Sequence, residues 1–380
     1  MIISELPLDL LEEILSRIHA TTLKSIRSTC KLWNSLLEDE SFTKKHFRKA
    51  EKQSLVLLLK DYRFCSMNVA PPTIEFKAPL VLNDSYFNLK QVDILEVSHC
   101  DGLLLCTTKD DRLVVWNPCL GKTWWIQHKT GMRYCKLALG YVNNKSYHSY
   151  KILRFLEDRY VLKGAKVERS EIYEFSSGLW RILDEDVNDL DCLIISISVS
   201  LKGNSYWLAM DYKDSHILLL SFDFTTERFR RMCLSPFHYE GGMALSVVRE
   251  ENLSVLRVSL LTFKIEIWMT NKFDTEVALQ WTNSFTLDIP DLYKVPPPFS
   301  SFVLDEEKKV ALCCNKIREN MIYIIGQDDN YHRKIPYPEY TKESWWPNEH
   351  ALQYSRNIPF IFNYVPSLVQ VEQGSRTRKV

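Results

Sequence analysis

Apolar residues fall into two regimes along this chain. Over the first 47 residues they recur at helical spacing, and from Ser54 onward they form short runs broken by polar turns. Leu8, Leu11, Leu15 and Ile18 share one helical face, which Leu10 and Ile14 widen. Pro7 stands where an opening turn tolerates proline, and Asp9, Glu12 and Glu13 put negative charge near the positive end of the helix dipole. A second helix is expected to open near Thr21 or Thr22, either a fair cap, and to carry Leu23, Ile26 and Cys30. A third carries Leu32, Trp33, Leu36 and Leu37. This predicts a small three-helix unit over residues 1–47. A unit that small buries too little of its own surface to stand alone. Its spare apolar residues need a second surface, on the rest of the chain or on another protein.

The remainder reads as strands in a loose repeat. A β-rich run ending in an aromatic meets a polar turn and then a second run, five times over. Leu113 to Pro118 leads to Trp124 and Trp125, Ile172 to Gly178 leads to Trp180, and Leu219 to Phe224 leads to Phe229. Ile265 to Trp268 leads to Trp281, and Met321 to Ile325 leads towards Ile335. Each pair predicts a hairpin, turned by Asn-Pro, Ser-Ser-Gly or Thr-Thr-Glu in the clearest copies. The repeat length is close to the roughly fifty residues of a kelch-type blade. Further strands such as Gly203–Ala209 and Leu253–Leu256 bring the count near four per unit, as a propeller blade requires. The expected fold is therefore multi-domain: a small all-α unit, then a large all-β domain built as a β-propeller, with a β-sandwich of two large sheets as the rival. The expected division is 1–47 helical, 48–94 connecting segment and first strands, 95–371 β-domain, and 372–380 a basic tail. Within 48–94, Leu55–Leu59 reads as a first strand and Ala70-Pro71-Pro72 as a loop.

Composition narrows the chemistry. With 48 basic and 48 acidic residues the net charge is zero, so no overall field favours nucleic acid. No apolar stretch is long enough for a membrane helix, and the acidic, amphipathic start is not a signal peptide. Ten cysteines are scattered without paired spacing, which suits reduced thiols and a place in the cytoplasm or nucleus. Cys100 and Cys106, or the adjacent Cys313 and Cys314, do not make the C-x-x-C pairs of a zinc site. The nine histidines lie singly, no glycine-rich phosphate loop is present, and no G-x-S-x-G marks a nucleophile. His99 and Cys100 are neighbours in a strand and point to opposite faces, so they cannot act as a pair. A propeller oxidase would need histidines and tyrosines gathered around a metal, and scattered histidines argue against it. No catalytic residue, cofactor or metal is expected.

Two sets of residues carry a resemblance. Leu6-Pro7-x-Asp9-Leu10-x-x-Glu13-Ile14-Leu15-x-Arg17-Ile18, followed by Leu23, Ile26-Arg27, Cys30-Lys31-x-Trp33 and Phe42, closely resembles the F-box. One departure is His19, where many members have proline. Asp101 to Cys106, Val115 to Pro118, Leu139 to Tyr141, Glu171 to Phe175, Asn204 to Trp207 and Glu266 to Trp268 resemble the F-box-associated domain of plant F-box proteins. The resemblance implies a substrate-receptor subunit of a Skp–cullin–F-box ubiquitin ligase, itself non-catalytic. The helices would hold a Skp-type adaptor and through it a cullin, and the β-domain would hold a target protein. The implied adaptor contacts are Leu6, Pro7, Leu10, Ile14, Leu15, Cys30 and Trp33, with any members of the helical core still to be separated from them. Candidate target loops are Tyr141–Tyr150, Tyr293–Phe299 and Tyr337–Tyr340 with Trp345-Trp346-Pro347. The alternative function is an adaptor-free scaffold, in which the apolar stripe packs on the chain's own β-domain.

Overall fold

A computed structural model describes residues 7–27, 31–84, 91–127, 135–143, 148–157, 167–183, 192–234, 242–271, 279–288, 298–315, 321–327, 333–337 and 358–371. It opens with four short helices: α1 (Leu8–Leu15), α2 (Ala20–Ile26), α3 (Lys31–Glu38) and α4 (Glu40–Lys49). The expected third helix is thus followed by a fourth. Asp39 is extended (φ −72°, ψ 129°), and its carboxylate accepts the Phe42 N–H at 2.9 Å, which ends α3 and caps α4. The second helix also begins earlier than expected. His19 occupies its cap position without a side-chain cap bond, and Thr21 and Thr22 lie inside the helix.

The strands form six antiparallel sheets. β1 (Leu55–Lys60), β2 (Arg63–Ala70) and β3 (Thr73–Leu80) begin blade 1; β4 (Ile94–Cys100), β5 (Leu103–Thr108), β6 (Leu113–Asn117) and β7 (Lys122–Ile126) make blade 2. Blade 3 contains β8 (Cys135–Asn143), β9 (His148–Glu157), β10 (Val167–Glu174) and β11 (Leu179–Ile182). Blade 4 contains β12 (Cys192–Ile194), β13 (Val199–Leu201), β14 (Asn204–Asp211), β15 (Ile217–Asp223) and β16 (Arg228–Cys233), with β12 and β13 sharing the innermost place beside β14. β17 (Met243–Val248), β18 (Asn252–Ser259), β19 (Lys264–Thr270) and β20 (Trp281–Asp288) form blade 5. β21 (Phe299–Asp305), β22 (Val310–Asn315), β23 (Met321–Gly326) and β24 (Arg333–Pro336) form blade 6. The last strand, β25 (Phe360–Tyr364), returns to pair with β1 and completes blade 1, Leu55 opposite Tyr364 and Leu59 opposite Phe360.

Burial shows why these sheets form a ring. One apolar cluster fills each gap between neighbouring blades, including the gap between blades 6 and 1, where Leu58 and Ile361 pack with Leu312 and Cys314. A blade in such a ring has neighbours on both faces. Its middle strands therefore read as continuous apolar runs, as in β5 and β22, buried at every position. The outermost strands lack that cover and are largely exposed, as in β11 and β16. The fold is a six-bladed β-propeller, and the sandwich is not what forms.

The five hairpins expected from the repeat are the two outer strands of blades 2 to 6: β6–β7, β10–β11, β15–β16, β19–β20 and β23–β24. The division at residue 95 needs correction. The first strands expected within 48–94 are three-quarters of a blade, so the propeller begins at Leu55. Pro71-Pro72 is the turn of their hairpin, β2 to β3.

Candidate functional site

The helices sit on one end of the propeller. Leu11, Leu15, Leu23, Leu36, Leu37 and Phe42 form a core that Cys119 and Leu368 of the propeller complete. Around it, Lys24 Nζ donates to the Pro118 carbonyl at 3.1 Å, Gln370 Nε2 donates to the Leu37 carbonyl at 3.4 Å, and the Phe47 ring meets His148 edge-on at 5.3 Å. The turns that face the helices are those leaving β4 and β6. In the first of them Gly102 has φ +78°, and the Val365 carbonyl lies 2.7 Å from where a Cβ would stand. Only glycine suits both the backbone and the crossing of the C-terminal strap. Asn117 ties that strap down, donating to the Ser367 and Val369 carbonyls at 3.0 and 2.9 Å.

The outer side of the helices is apolar and uncovered. Leu10 and Ile14 are 50% and 49% exposed, whereas Leu11 and Leu15 on the same helix are 2% and 4% exposed. Leu8 and, on α3, Leu32 are also exposed, so apolar side chains of two helices meet solvent on one small module. Glu13 flanks this face. Hydrogen bonds from Lys49, Arg17 and Lys45 lower its carboxyl to about 2, so it stays ionised throughout the physiological range.

A cavity of about 220 Å³ lies at the opposite end of the central channel. Its wall takes in the opening residues of β4 and β8 and the closing residues of β1 and β5. Those are the ends farthest from the Asp101–Gly102 turn under the helices. Leu59, Val97, Leu137, Trp207 and Phe360 make it largely apolar, and Glu96, Thr107 and Lys136 add polar groups. Among the described residues no cluster of histidine, cysteine and carboxylate side chains could hold a metal ion. No helix among them is long and apolar enough to cross a membrane.

Residues 55–371 match the model of the F-box associated beta propeller domain, and residues 3–45 match that of the F-box domain. The chain belongs to the F-box proteins. Among its relatives in Arabidopsis thaliana, one described as an F-box/kelch-repeat protein is 51% identical over 98% of both chains. Another, described as an F-box protein, is 55% identical over 82% of this chain and 93% of its own length.

Within the F-box, the seven residues implied as adaptor contacts separate into three groups. Pro7, Leu10 and Ile14 are on the outer face, and Leu15 is turned into the F-box core. Trp33 is half-buried against that core, while Leu6 and Cys30 lie outside the described residues. Leu8 and Leu32 are the outward residues that the motif did not single out. Periodicity could not have found Leu32: it stands four residues before the buried Leu36, on the same helical face, yet is 47% exposed. Of the stripe that the scaffold alternative packs on the β-domain, Leu11 and Leu15 join a core with Cys119 and Leu368 of the propeller, while Leu10 and Ile14 are exposed.

The expected target loops fare differently. Tyr141 and Tyr150 are buried, and with His148 they gather around Asp101, whose carboxylate accepts from Tyr150 at 2.9 Å and meets His148 Nδ1 at 3.0 Å. That cluster lies beneath the F-box, on the end of the propeller away from the cavity. Phe299 and Tyr337 are buried in the propeller. Tyr293, Tyr340 and Trp345-Trp346-Pro347 lie outside the described residues.

Proposed function

We propose that this protein is the substrate-receptor subunit of a Skp–cullin–F-box ubiquitin ligase. The F-box holds the adaptor, the propeller holds the target, and the chain forms and breaks no bonds itself. Its contribution to rate is proximity: a target lysine is kept near a ubiquitin-carrying enzyme elsewhere in the assembly. The observation that carries this reading is the outward apolar face of α1 and α3. Its inner counterpart already has the propeller as its second surface, so the outer face is not needed to complete the fold. Exposed large apolar side chains such as Leu10, Ile14 and Leu32 are the kind of residue that dominates interface energy. Eight of the nine described cysteines are buried, and burial pushes Cys119 up to about 11 and Cys314 up to about 12. Such thiols are inert and suit a cytoplasmic or nuclear protein.

The test is capture of a Skp-type adaptor by the intact chain and by a Leu10→Glu/Ile14→Glu variant, with thermal melting of both. Binding should fall by about a hundredfold or more, because two central anchors become charged. The melting temperature should hold, because neither residue is buried. An intact, folded chain that captures no adaptor sinks the receptor reading.

A further inference from the structure

The cavity at the far end of the channel contains polar groups that the fold leaves unanswered. Its serines are satisfied internally. Ser198 donates to Ser98 at 3.2 Å, Ser196 accepts the Leu208 N–H at 2.8 Å, and Ser300 donates to the Pro359 carbonyl at 2.9 Å. Thr107 differs: its Oγ1 is sealed from solvent, in a residue only 6% exposed, and has no hydrogen-bond partner. Buried hydroxyls are almost always paired, so this one is a cost the fold carries at the cavity wall, and its Oγ1 can meet a ligand only after a χ1 rotation. Lys136 and Glu96 line the same cavity, and neither side chain makes an ion pair or hydrogen bond with any described residue. Lys136 is half-buried, and a cation partly withdrawn from water among apolar side chains calls for an anion.

We propose that this channel mouth captures the free carboxyl terminus of a target protein whose last residue is large and apolar. The carboxylate seats on Lys136, and the side chain fills the space beside Trp207 and Leu137. Size argues for a single residue. The cavity has room for about seven water volumes. That is below the roughly 300 Å³ at which small-molecule sites begin. A chain end is the one peptide position that carries an apolar side chain and a carboxylate on the same residue. An internal acidic residue would need a second residue to fill the apolar part, and both flanking segments would have to leave through one mouth. Farther in, the Ser98–Ser198 bond ties β4 to the segment entering β13 and narrows the channel. Glu96, exposed at the rim, sets a like charge against any acidic residue just upstream in the target.

This site rests on the receptor reading, and one experiment separates the two. The immobilised full-length chain is offered a pool of randomised decapeptides with free carboxyl ends and the same pool with amidated ends, and adaptor capture is measured on the same material. The free-acid pool should be retained and enriched in Leu, Ile, Phe or Trp at the last position and depleted of Asp and Glu just before it. Retention should drop about tenfold or more for the amidated pool and for Lys136→Met, since each removes one side of a charge-assisted contact. Lys136 has no ion pair among the described residues to lose, so its variant should melt with the parent. Equal retention of the two pools, retention by Lys136→Met at the parent level, or no retention of either pool overturns the proposal. Any of these with adaptor capture intact leaves the receptor reading standing. Peptide retention without adaptor capture overturns only the receptor reading.

Discussion

Helix α1 carries two pairs of aliphatic side chains with opposite fates. Leu11 and Leu15 are sealed against Leu23, Phe42 and the propeller's Cys119, while Leu10 and Ile14, one position earlier, face water. All four are equally hydrophobic, so composition cannot tell them apart. What differs is which of the two possible surfaces the chain itself supplies. The propeller covers one side of the helix, and the uncovered side is what remains for a partner. A helix with so wide an apolar stripe would be a core element in one protein and, in this one, joins an internal to an external contact.

The sharpest way to break that comparison is to alter the inner pair alone. Leu11→Ala should destabilise the F-box by about 2–5 kcal/mol, the range for emptying a sealed aliphatic site. Chemical denaturation with hydrogen exchange over residues 7–50 would locate the loss in the helices, with the propeller strands keeping their protection. Adaptor binding would weaken in the same variant, through unfolding of the module. The Leu10→Glu/Ile14→Glu variant should show the reverse pattern, with binding lost and the exchange profile unchanged. If both variants lose protection equally, the two sides of α1 are one core and the distinction fails.

Much of this organisation can be read before any coordinates. The leucine spacing of α1 and the β-rich runs ending in Trp116, Phe175 and Phe222 carry local signals, and each falls in the element expected of it. Local patterns fail where the partner is distant in sequence. Blade 1 went unseen as a blade because its innermost strand comes from Phe360–Tyr364, some three hundred residues beyond Leu55, and no local pattern encodes that pairing. Its outer hairpin also lacks the aromatic ending of the others. The cavity is illegible for the same reason: Glu96, Thr107, Lys136 and Trp207 come from three blades and share no motif. The inner and outer faces of α1 could not be separated either, because the residues that cover Leu11 and Leu15, Cys119 and Leu368, are far along the chain.

Acid should act on the two domains through one buried and one half-buried histidine and leave the outer face alone. His99 stacks on Phe362 at 4.6 Å, and burial lowers its imidazole from 6.5 to about 4 despite the nearby Asp101. His46, in the F-box core, is lowered in the same direction by burial, partly offset by its 2.8 Å contact with the Ile18 carbonyl. A folded-state value below the unfolded one means the unfolded chain takes up the proton first. Stability is therefore whole above about pH 6.5 and falls as the pH drops, through His99 by on the order of 2 kcal/mol by pH 5. Denaturant midpoints at pH 7.5, 6 and 5 would follow the decline, and His99→Gln should flatten it for the propeller. Glu13 keeps its charge across that window. Adaptor binding lost between pH 7.5 and 5 should consequently track the melting of the helices, and loss with the helices intact would contradict this assignment.

The smallest effect bears on the fourth helix. α4 has little apolar surface of its own, with Phe42 and His46 its buried residues, so its first turn depends on Asp39. Hydrogen bonds from Ser41 and the Phe42 N–H hold the Asp39 carboxyl below its ordinary range, the mark of a cap that works as an anion. Asp39→Ala should cost about 1 kcal/mol, and Asp39→Asn noticeably less because Asn caps a helix nearly as well. The change removes no contact from Leu10 or Ile14. Adaptor affinity should then fall only as far as the folded fraction of the module does, which a comparison of binding with helical circular dichroism at rising temperature would show. An affinity loss larger than the lost helicity would mean that α4, and not α1 and α3 alone, reaches the partner.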